Sequence, residues 1–295
     1  MRLGVLSQPH HAALGDIMDR LRASAGEIGA ELVLAADLLA VEGGDGPPLE
    51  EDPGKVDFLL TLGGDGTLLR GARLAGPLDV PVVGCNLGKL GFLTTAPLDQ
   101  LEELLHRLRD GQFEEERRLA LRVGLHPADG PDGRAAAEPS ESFYALNDAV
   151  VHKGGFARLI SMRVWVNEEE IGQYSADGIV LATATGSTAY SLSAGGPILV
   201  PSLDALVASP ICPHTMSIRP VVVPADATIS VEILSRMEGI LVTVDGQTGG
   251  HLGGGGRVSV RRSPHPVRLI RMPDQNFFSV LRQKMRWGDV RPSAD

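Results

Sequence analysis

Between Thr61 and Leu69 the chain reads T-L-G-G-D-G-T-L-L, three glycines around one carboxylate, Asp65. Glycine opens backbone angles closed to other residues and lets a ligand approach the main chain. The N–H groups at a helix start form a ready anion site. A turn built from Gly63, Gly64, Gly66 and Thr67 can therefore cradle a phosphate and hold a carboxylate beside it. The same residues also suit an ordinary strand-to-helix turn, with Asp65 stabilising the helix dipole. On the turn alone the two readings stand level. It is not a Walker loop, because no Gly-Lys-Ser/Thr follows.

Three further segments break their local strand patterns, as functional sites often do. Asn86-Leu87-Gly88-Lys89-Leu90-Gly91-Phe92-Leu93-Thr94 follows an apolar strand. Ligands of open α/β sheets bind at the carboxyl ends of strands, so this loop is expected beside the Asp65 turn, although Gly88 and Gly91 could equally be turn formers. Leu146-Asn147-Asp148 sets an amide beside a carboxylate, a pair able to read an adenine edge or ribose hydroxyls or simply to make a turn. The third runs from Asp177-Gly178 through Thr183, Thr185-Gly186-Ser187-Thr188-Ala189-Tyr190-Ser191-Leu192-Ser193 to Gly195-Gly196. Seven hydroxyl-bearing residues within positions 183–193 exceed what a helix cap needs. Neutral donors at a helix start suit phosphate or adenine recognition. The eight histidines show no metal-site spacing, and Gly-x-Ser-x-Gly is absent, which argues against a serine hydrolase.

These residues need strands and helices to position them. Leu3 to Leu6, Glu31 to Ala35, 56–62 and 80–85 read as strands, with helices over Ala12 to Ile28, Thr67 to Ala75 and Leu98 to Leu108, the last stopped by Gly111. Residues 36–55 read as an irregular Gly/Pro/acid-rich connection. This alternation predicts a parallel sheet covered by helices. From Leu119 the apolar period becomes two, at Leu119 to Leu125, Ile160 to Val166, Ile229 to Ile233 and Val258 to Val260, which predicts half-buried strands. Residues 126–142 read as a mobile hairpin loop, and 274–287 as a final helix capped by Asp274. The expected fold class is α/β: a Rossmann-like N-terminal domain over 1–97 (plus 273–295), a β-sandwich-like domain over 98–272, and a last helix returning to the first domain.

The chain has 295 residues, 43% hydrophobic and 22% charged, with a net charge of −10. That balance argues against a nucleic-acid surface or a polybasic membrane patch. Two cysteines form no disulfide framework. No segment approaches a membrane span, and the N-terminal apolar run is too short for a signal peptide, so a cytoplasmic location is expected.

Taken in order, the segments resemble the NAD kinase family. The resemblance rests on Gly63-Gly64-Asp65-Gly66-Thr67, Asn86-x-Gly88-x-Leu90-Gly91-Phe92-Leu93-Thr94, Leu146-Asn147-Asp148, Asp177-Gly178 through Thr185-Gly186-Ser187-Thr188-Ala189-Tyr190 to Gly195-Gly196-Pro197, and Asp245-Gly246-Gln247. Pro213-His214-Thr215 with Arg219-Pro220 and Leu281-Arg282-x-Lys284-x-x-Trp287-Gly288 look familial too. The Gly-Gly-Asp-Gly turn alone is shared with diacylglycerol and sphingosine kinases and phosphofructokinases. The resemblance implies transfer of a phosphoryl group from ATP with Mg²⁺, or from polyphosphate, to the adenosine 2′-hydroxyl of NAD. Asp65 would be the general base. Asn147 and Thr188, with Thr185, would sit at the adenine and Asp148 at ribose hydroxyls. Tyr190 and Ser193 would lie along the diphosphate, and Asp177 toward the nicotinamide end. Gly66, Arg158, Ser175, Ala189, Ser191, Leu192 and Gln247 complete the implied substrate-binding set, with no metal-ligating residue among them. Asp148 stands where glutamate is more common, Ala184 where proline is usual, and Ser175 where many members carry a basic residue. The resemblance further implies a homo-oligomer, dimer or tetramer. A lipid kinase would call for an apolar or basic membrane-facing patch, and a non-catalytic dinucleotide sensor for loss of Asp65 or its glycines; neither expectation fits these residues.

Overall fold

The computed structural model describes residues 1–286 apart from 9, 44–45, 89–90, 130–133, 155–158, 216, 236–238 and 274–275. Lys89, Leu90, Arg158, Asp274, Trp287 and Gly288 therefore lie outside the described residues. The chain forms two compact units, residues 1–117 with 267–295, and residues 118–266. Sequence alone set the boundaries at 97/98 and 272/273; contacts keep the fourth helix and the last strand with the first unit.

The first unit is a parallel α/β layer. Its elements are β1 (Arg2–Ser7), α1 (Leu14–Ile28), β2 (Glu31–Leu34), α2 (Ala36–Glu42), β3 (Phe58–Leu62), α3 (Asp65–Ala75), β4 (Val82–Asn86), β5 (Ala96–Pro97), α4 (Leu101–Asp110) and β6 (Glu114–Arg118), joined by β21 (Val267–Arg271) and α6 (Phe277–Met285). The sheet order is β2-β1-β3-β4-β21-β6, with β5 beside β4. β1, β3 and β4 are almost wholly buried, which is why they read as continuous apolar runs rather than alternating ones. Their side chains pack against Ile17, Met18 and Leu21 of α1 and Leu101, Leu104, Leu105 and Leu108 of α4. Those α4 positions recur at helical spacing on one face, and Gly111 ends the helix at φ 68°.

Two expectations are corrected here, the connection over 36–55 and the cap of the last helix. Residues 36–55 hold the short α2 and two turns of 3-10 helix, Leu49–Glu51 and Pro53–Lys55, because Leu38 and Leu49 reach the core from a stretch too brief to show a period. The charged run Glu114–Arg118, for which no element was expected, is an edge strand, mostly exposed with Glu116 half-buried and Arg118 buried, and so carries no apolar signal. The last helix is capped by Asn276, whose side chain accepts from the Ser279 N–H at 2.8 Å. Its buried stripe is narrow: Val280 and Leu281 are buried, whereas Phe278 and Met285 are exposed. The helix returns to the first unit through Phe277, whose ring lies 6.3 Å from that of Phe92, and Lys284, which sits 4.9 Å over the Phe92 ring.

The second unit is an antiparallel sandwich. One sheet contains β7 (Leu121–His126), β10 (Glu141–Ala145), β12 (Ile160–Val166), β13 (Glu169–Ala176), β17 (Ile229–Ile233) and β20 (Arg257–Arg262). The other contains β11 (Asp148–Lys153), β14 (Gly178–Thr183), β15 (Ala205–Ile211), β16 (Val221–Pro224), β18 (Ile240–Val244) and β19 (Gln247–Leu252). Their orders are β10-β7-β20-β17-β12-β13 and β16-β15-β14-β11-β18-β19. Inward residues of both sheets share one core, including Val123, Met162, Val231 and Val258 from the first and Val151, Leu181 and Val242 from the second. The stretch expected as a mobile hairpin loop over 126–142 does join the antiparallel pair β7 and β10, and it contains a short ladder, β8 (Ala128–Asp129) against β9 (Arg134–Ala135).

Candidate active site

In the first unit β3 delivers the chain into Gly63 and Gly64, and α3 begins at Asp65, two residues earlier than its apolar period suggests. Gly63 is required by its own turn, since a Cβ there would stand 2.1 Å from Thr67 Oγ1. Gly64 and Gly66 are different. Both are exposed, and a Cβ on either would meet nothing within 4 Å, so the space beside them is open to a ligand. Asp65 makes no side-chain cap to its own helix. Its carboxylate instead accepts backbone N–H groups from the loop after β4, Phe92 on Oδ2 at 2.9 Å and Leu93 and Thr94 on Oδ1 at 3.0 and 3.4 Å. Two carboxylate oxygens offer about four lone-pair sites, so three donors leave room for a further proton. The expected proximity of the Asp65 turn and the Asn86–Thr94 loop is thus a set of direct hydrogen bonds.

In the second unit three strand ends converge around Asn147. β18 and β19 are joined by Asp245-Gly246, both at positive φ (49° and 72°), the Asp-Gly signature of a two-residue hairpin turn. The Asp245 carboxylate turns inward and accepts the N–H groups of Leu146 at 3.0 Å, Asn147 at 2.8 Å and Asp148 at 3.2 Å. From the other side, Thr183 N donates to Asn147 O at 2.9 Å, and Thr183 Oγ1 donates to Leu146 O at 2.7 Å while accepting Gly186 N at 3.0 Å. The backbone of Asn147 is thereby fixed from both flanks. Its side-chain Oδ1 is buried and has no hydrogen-bond partner. Buried acceptors are nearly always paired, so this one calls for a donor from outside the chain. The neighbouring Asp148 carboxyl, 4% exposed, is pushed up to about 7, chiefly by burial and then by the negative charge of Asp245.

The hydroxyl-rich segment divides its labour. Thr183, Ser187 and Ser191 are buried and bonded within the protein: Ser187 Oγ donates to Ala184 O at 2.7 Å, and Ser191 Oγ meets Ser209 Oγ at 2.9 Å. Thr185 Oγ1 accepts from the buried Arg118 guanidinium at 3.4 Å. Thr188 is half-buried, while Tyr190 and Ser193 are exposed, so part of the apparent excess of hydroxyls serves the fold. Asp177 is ion-paired with Lys153 at 2.5 Å, Ser175 Oγ meets Ser161 Oγ at 2.8 Å, and Gln247 is exposed at the head of β19. Ala189 and Leu192 are half-buried on the same segment. Asp245, Arg118, Lys153 and Thr94 carry no role in the sequence reading. The Asp-Gly turn was the available signal for Asp245 and the Asn86–Thr94 motif for Thr94; Arg118 and Lys153 are isolated residues whose partners, Thr185 and Asp177, lie 67 and 24 positions along the chain.

A parallel α/β unit that ends its central strand in Gly-Gly-Asp-Gly and a sandwich unit presenting an amide and hydroxyls at its strand ends are the parts that a small-molecule kinase without a Walker loop needs. The family model described as ATP-NAD kinase N-terminal domain matches residues 47–113, and that described as ATP-NAD kinase C-terminal domain matches residues 146–272. The NAD kinase of Gemmatimonas aurantiaca is 43% identical over 290 residues, 98% of this chain and 97% of its own. A crystal structure of yeast NADH kinase complexed with NADH aligns with TM-score 0.86 at 24% identity, covering 100% of this chain and 90% of that one. The structure of an NAD kinase from Archaeoglobus fulgidus in complex with ATP gives 0.73 at 27% identity, covering 97% and 99%. The chain belongs to the NAD kinase family, and it is an enzyme of that family.

Proposed function

We propose that this protein transfers the terminal phosphoryl group of ATP to the adenosine 2′-hydroxyl of NAD, giving NADP, with Asp65 as the general base. The observation that carries the reading is the buried, unpaired Asn147 Oδ1, an acceptor suited to the exocyclic amine of adenine. Thr188, with Thr185, completes the adenine contacts. Asp148 accepts from ribose hydroxyls, Tyr190 and Ser193 follow the diphosphate, and Asp177 lies toward the nicotinamide end. Ser175, Gln247, Arg158, Gly66, Ala189, Ser191 and Leu192 line the dinucleotide. With its hydroxyl turned to Ser209, Ser191 acts through its backbone.

A ribose hydroxyl is a poor nucleophile, and a carboxylate within hydrogen-bond reach can take its proton as transfer proceeds. Phosphoryl transfer otherwise needs positioning and charge neutralisation more than covalent chemistry. The backbone of the exposed Gly64 and Gly66 supplies the first, while the Gly63 and Thr67 N–H groups are bonded within the protein, to Cys85 O and Gly64 O at 3.0 Å each. Mg²⁺ would come as a partner of ATP, since it is held through phosphates and one or two carboxylates with retained waters, and a Cβ on Gly64 or Gly66 would meet nothing within 4 Å, which leaves that side of the turn open. When bound, it neutralises charge on the phosphates. The protein acts in the cytoplasm as a homo-oligomer, dimer or tetramer, and polyphosphate is a second donor to be tried; among the described residues no helix is long and apolar enough to cross a membrane. The experiment incubates purified protein with ATP, Mg²⁺ and NAD and reads NADP with an NADP-specific dehydrogenase. NADP should form only when NAD and a phosphoryl donor are both present, and chelation should stop it. Absence of NADP with ATP and with polyphosphate would overturn the proposal.

A further inference from the structure

We infer that Thr94 is a positioning residue for the phosphoryl transfer, aiming the Asp65 carboxylate through the Gly91–Thr94 turn. The inference rests on the reading of Asp65 as the base. A carboxylate half-buried at the first position of a helix has no reason of its own to hold one rotamer, and Asp65 makes no bond to its own helix. Its orientation comes from the three N–H groups of Phe92, Leu93 and Thr94. Those donors converge because the turn is closed on itself by one hydroxyl. Thr94 Oγ1 accepts the Gly91 N–H at 3.1 Å and the Asn86 Nδ2 amide at 3.1 Å, and Asn86 Oδ1 in turn accepts the Gly88 N–H at 2.8 Å. Thr94 and Asn86 are 1% and 3% exposed, so water does not substitute for these bonds.

The fit around this turn admits little slack. A Cβ on Gly91 would fall 1.8 Å from Asp65 Oδ1, and one on Gly84 of β4 would fall 3.0 Å from Thr94 Cα. Both glycines let the turn approach: one lets the strand meet Thr94, the other lets the turn meet the carboxylate. The chain of contacts from β4 through Thr94 to Asp65 therefore fixes which lone pairs the three N–H groups occupy and which face a substrate hydroxyl. A general base must sit within about 2.6–3.2 Å of the proton it takes, and a displacement near 1 Å can cost on the order of 10²-fold in rate. Removing the Thr94 acceptor takes a partner from the Gly91 N–H and from the Asn86 amide and lets the turn open.

The test compares Thr94→Val, Thr94→Ser, Asp65→Asn and the Asp65→Asn/Thr94→Val double variant in the full chain, measuring kcat, KM for NAD and melting temperature. Thr94→Val, which keeps the shape and removes the acceptor, should lower kcat about 10- to 100-fold with KM for NAD within about threefold. Thr94→Ser should restore kcat to within about threefold of wild type, because serine keeps the acceptor. If Thr94 acts through Asp65, the double variant should be no slower than Asp65→Asn alone, since residues acting as one unit are not additive. Wild-type kcat in Thr94→Val beside a slow Asp65→Asn would sink this inference and leave the base assignment standing, as would losses that multiply in the double variant. Wild-type turnover in Asp65→Asn would remove the base assignment and this inference together. Should Thr94→Val not fold, Thr94→Ala, which removes the same acceptor from a smaller side chain, carries the same comparison.

Discussion

Alanine at Gly186 strikes the backbone of Asn147 in the second unit without replacing a side chain proposed to touch the ligand. Its Cβ would stand 2.1 Å from Asn147 O, 2.5 Å from its carbonyl carbon and 2.8 Å from its Cα. All three atoms are backbone, so no rotamer relieves the clash, and the Thr185–Thr188 turn must shift by about 1 Å to regain ordinary contact. Overpacking of this kind costs about 1–3 kcal/mol. The bonds that fix Asn147, from Thr183 N at 2.9 Å and from Gly186 N to Thr183 Oγ1 at 3.0 Å, stretch with it, adding about 1 kcal/mol each. The sum stays below most of the 5–15 kcal/mol range of domain stability, so the variant should fold with a lowered melting temperature. If Asn147 Oδ1 receives the adenine amine, displacing it forfeits about 1–3 kcal/mol of binding, a rise of about 5- to 150-fold in KM for NAD. KM for ATP should stay within about twofold. Thermal melts and steady-state kinetics on one preparation decide it: wild-type melting temperature together with wild-type KM for NAD would refute the reasoning.

The remaining expectations follow from single features. Asp148 keeps its proton to about pH 7 when folded, against a usual value of 3.8. The folded state therefore binds the extra proton between those limits, and stability falls as pH rises through them. Asp148→Asn should flatten that profile and raise the melting temperature at pH 8, while in the wild type KM for NAD should fall as the carboxylate forms near pH 7; a KM unchanged between pH 6 and 8 would contradict the ribose role. Nicotinamide guanine dinucleotide offers a carbonyl where Asn147 Oδ1 requires a donor, so its kcat/KM should be lower than that of NAD by about 5- to 150-fold, again from about 1–3 kcal/mol; equal turnover of the two would remove the adenine assignment. Truncation after Met272 strips Val280 and Leu281 from the core, about 1.5–3 kcal/mol each, and takes Phe277 from Phe92, whose N–H holds Asp65. The truncated chain should be insoluble or inactive, and a soluble, fully active one would refute the packing role.

Much of the α/β unit was legible because its signals are local. Buried parallel strands are unbroken apolar runs, and α4 carries leucines at 101, 104, 105 and 108 before a glycine stop. What escaped reading lacked a period: α2 has seven residues, and β6 is Glu-Glu-Glu-Arg-Arg at a sheet edge. The candidate site divides the same way. Asp65, Asn147 and Asp148 stand out as polar residues interrupting apolar strands. Their supports do not, since Asp245 reaches Asn147 across 98 positions and Phe92 reaches Asp65 across 27. Hydroxyl count also misled in part, because Ser187 and Ser191 face inward to bond their own fold, a distinction that only the packing reveals.

The central claim is that Asp65 takes the 2′-hydroxyl proton, and Asp65→Asn tests it most directly. Asparagine keeps the size of the side chain but sets an amide N–H₂ against one of the donors now bonded to the carboxylate, so folding and NAD affinity must be measured beside turnover. The expected result is a folded protein whose dissociation constant for NAD changes by less than about tenfold, while kcat falls roughly 10²–10⁴-fold. A folded Asp65→Asn enzyme that makes NADP at near wild-type kcat would contradict it.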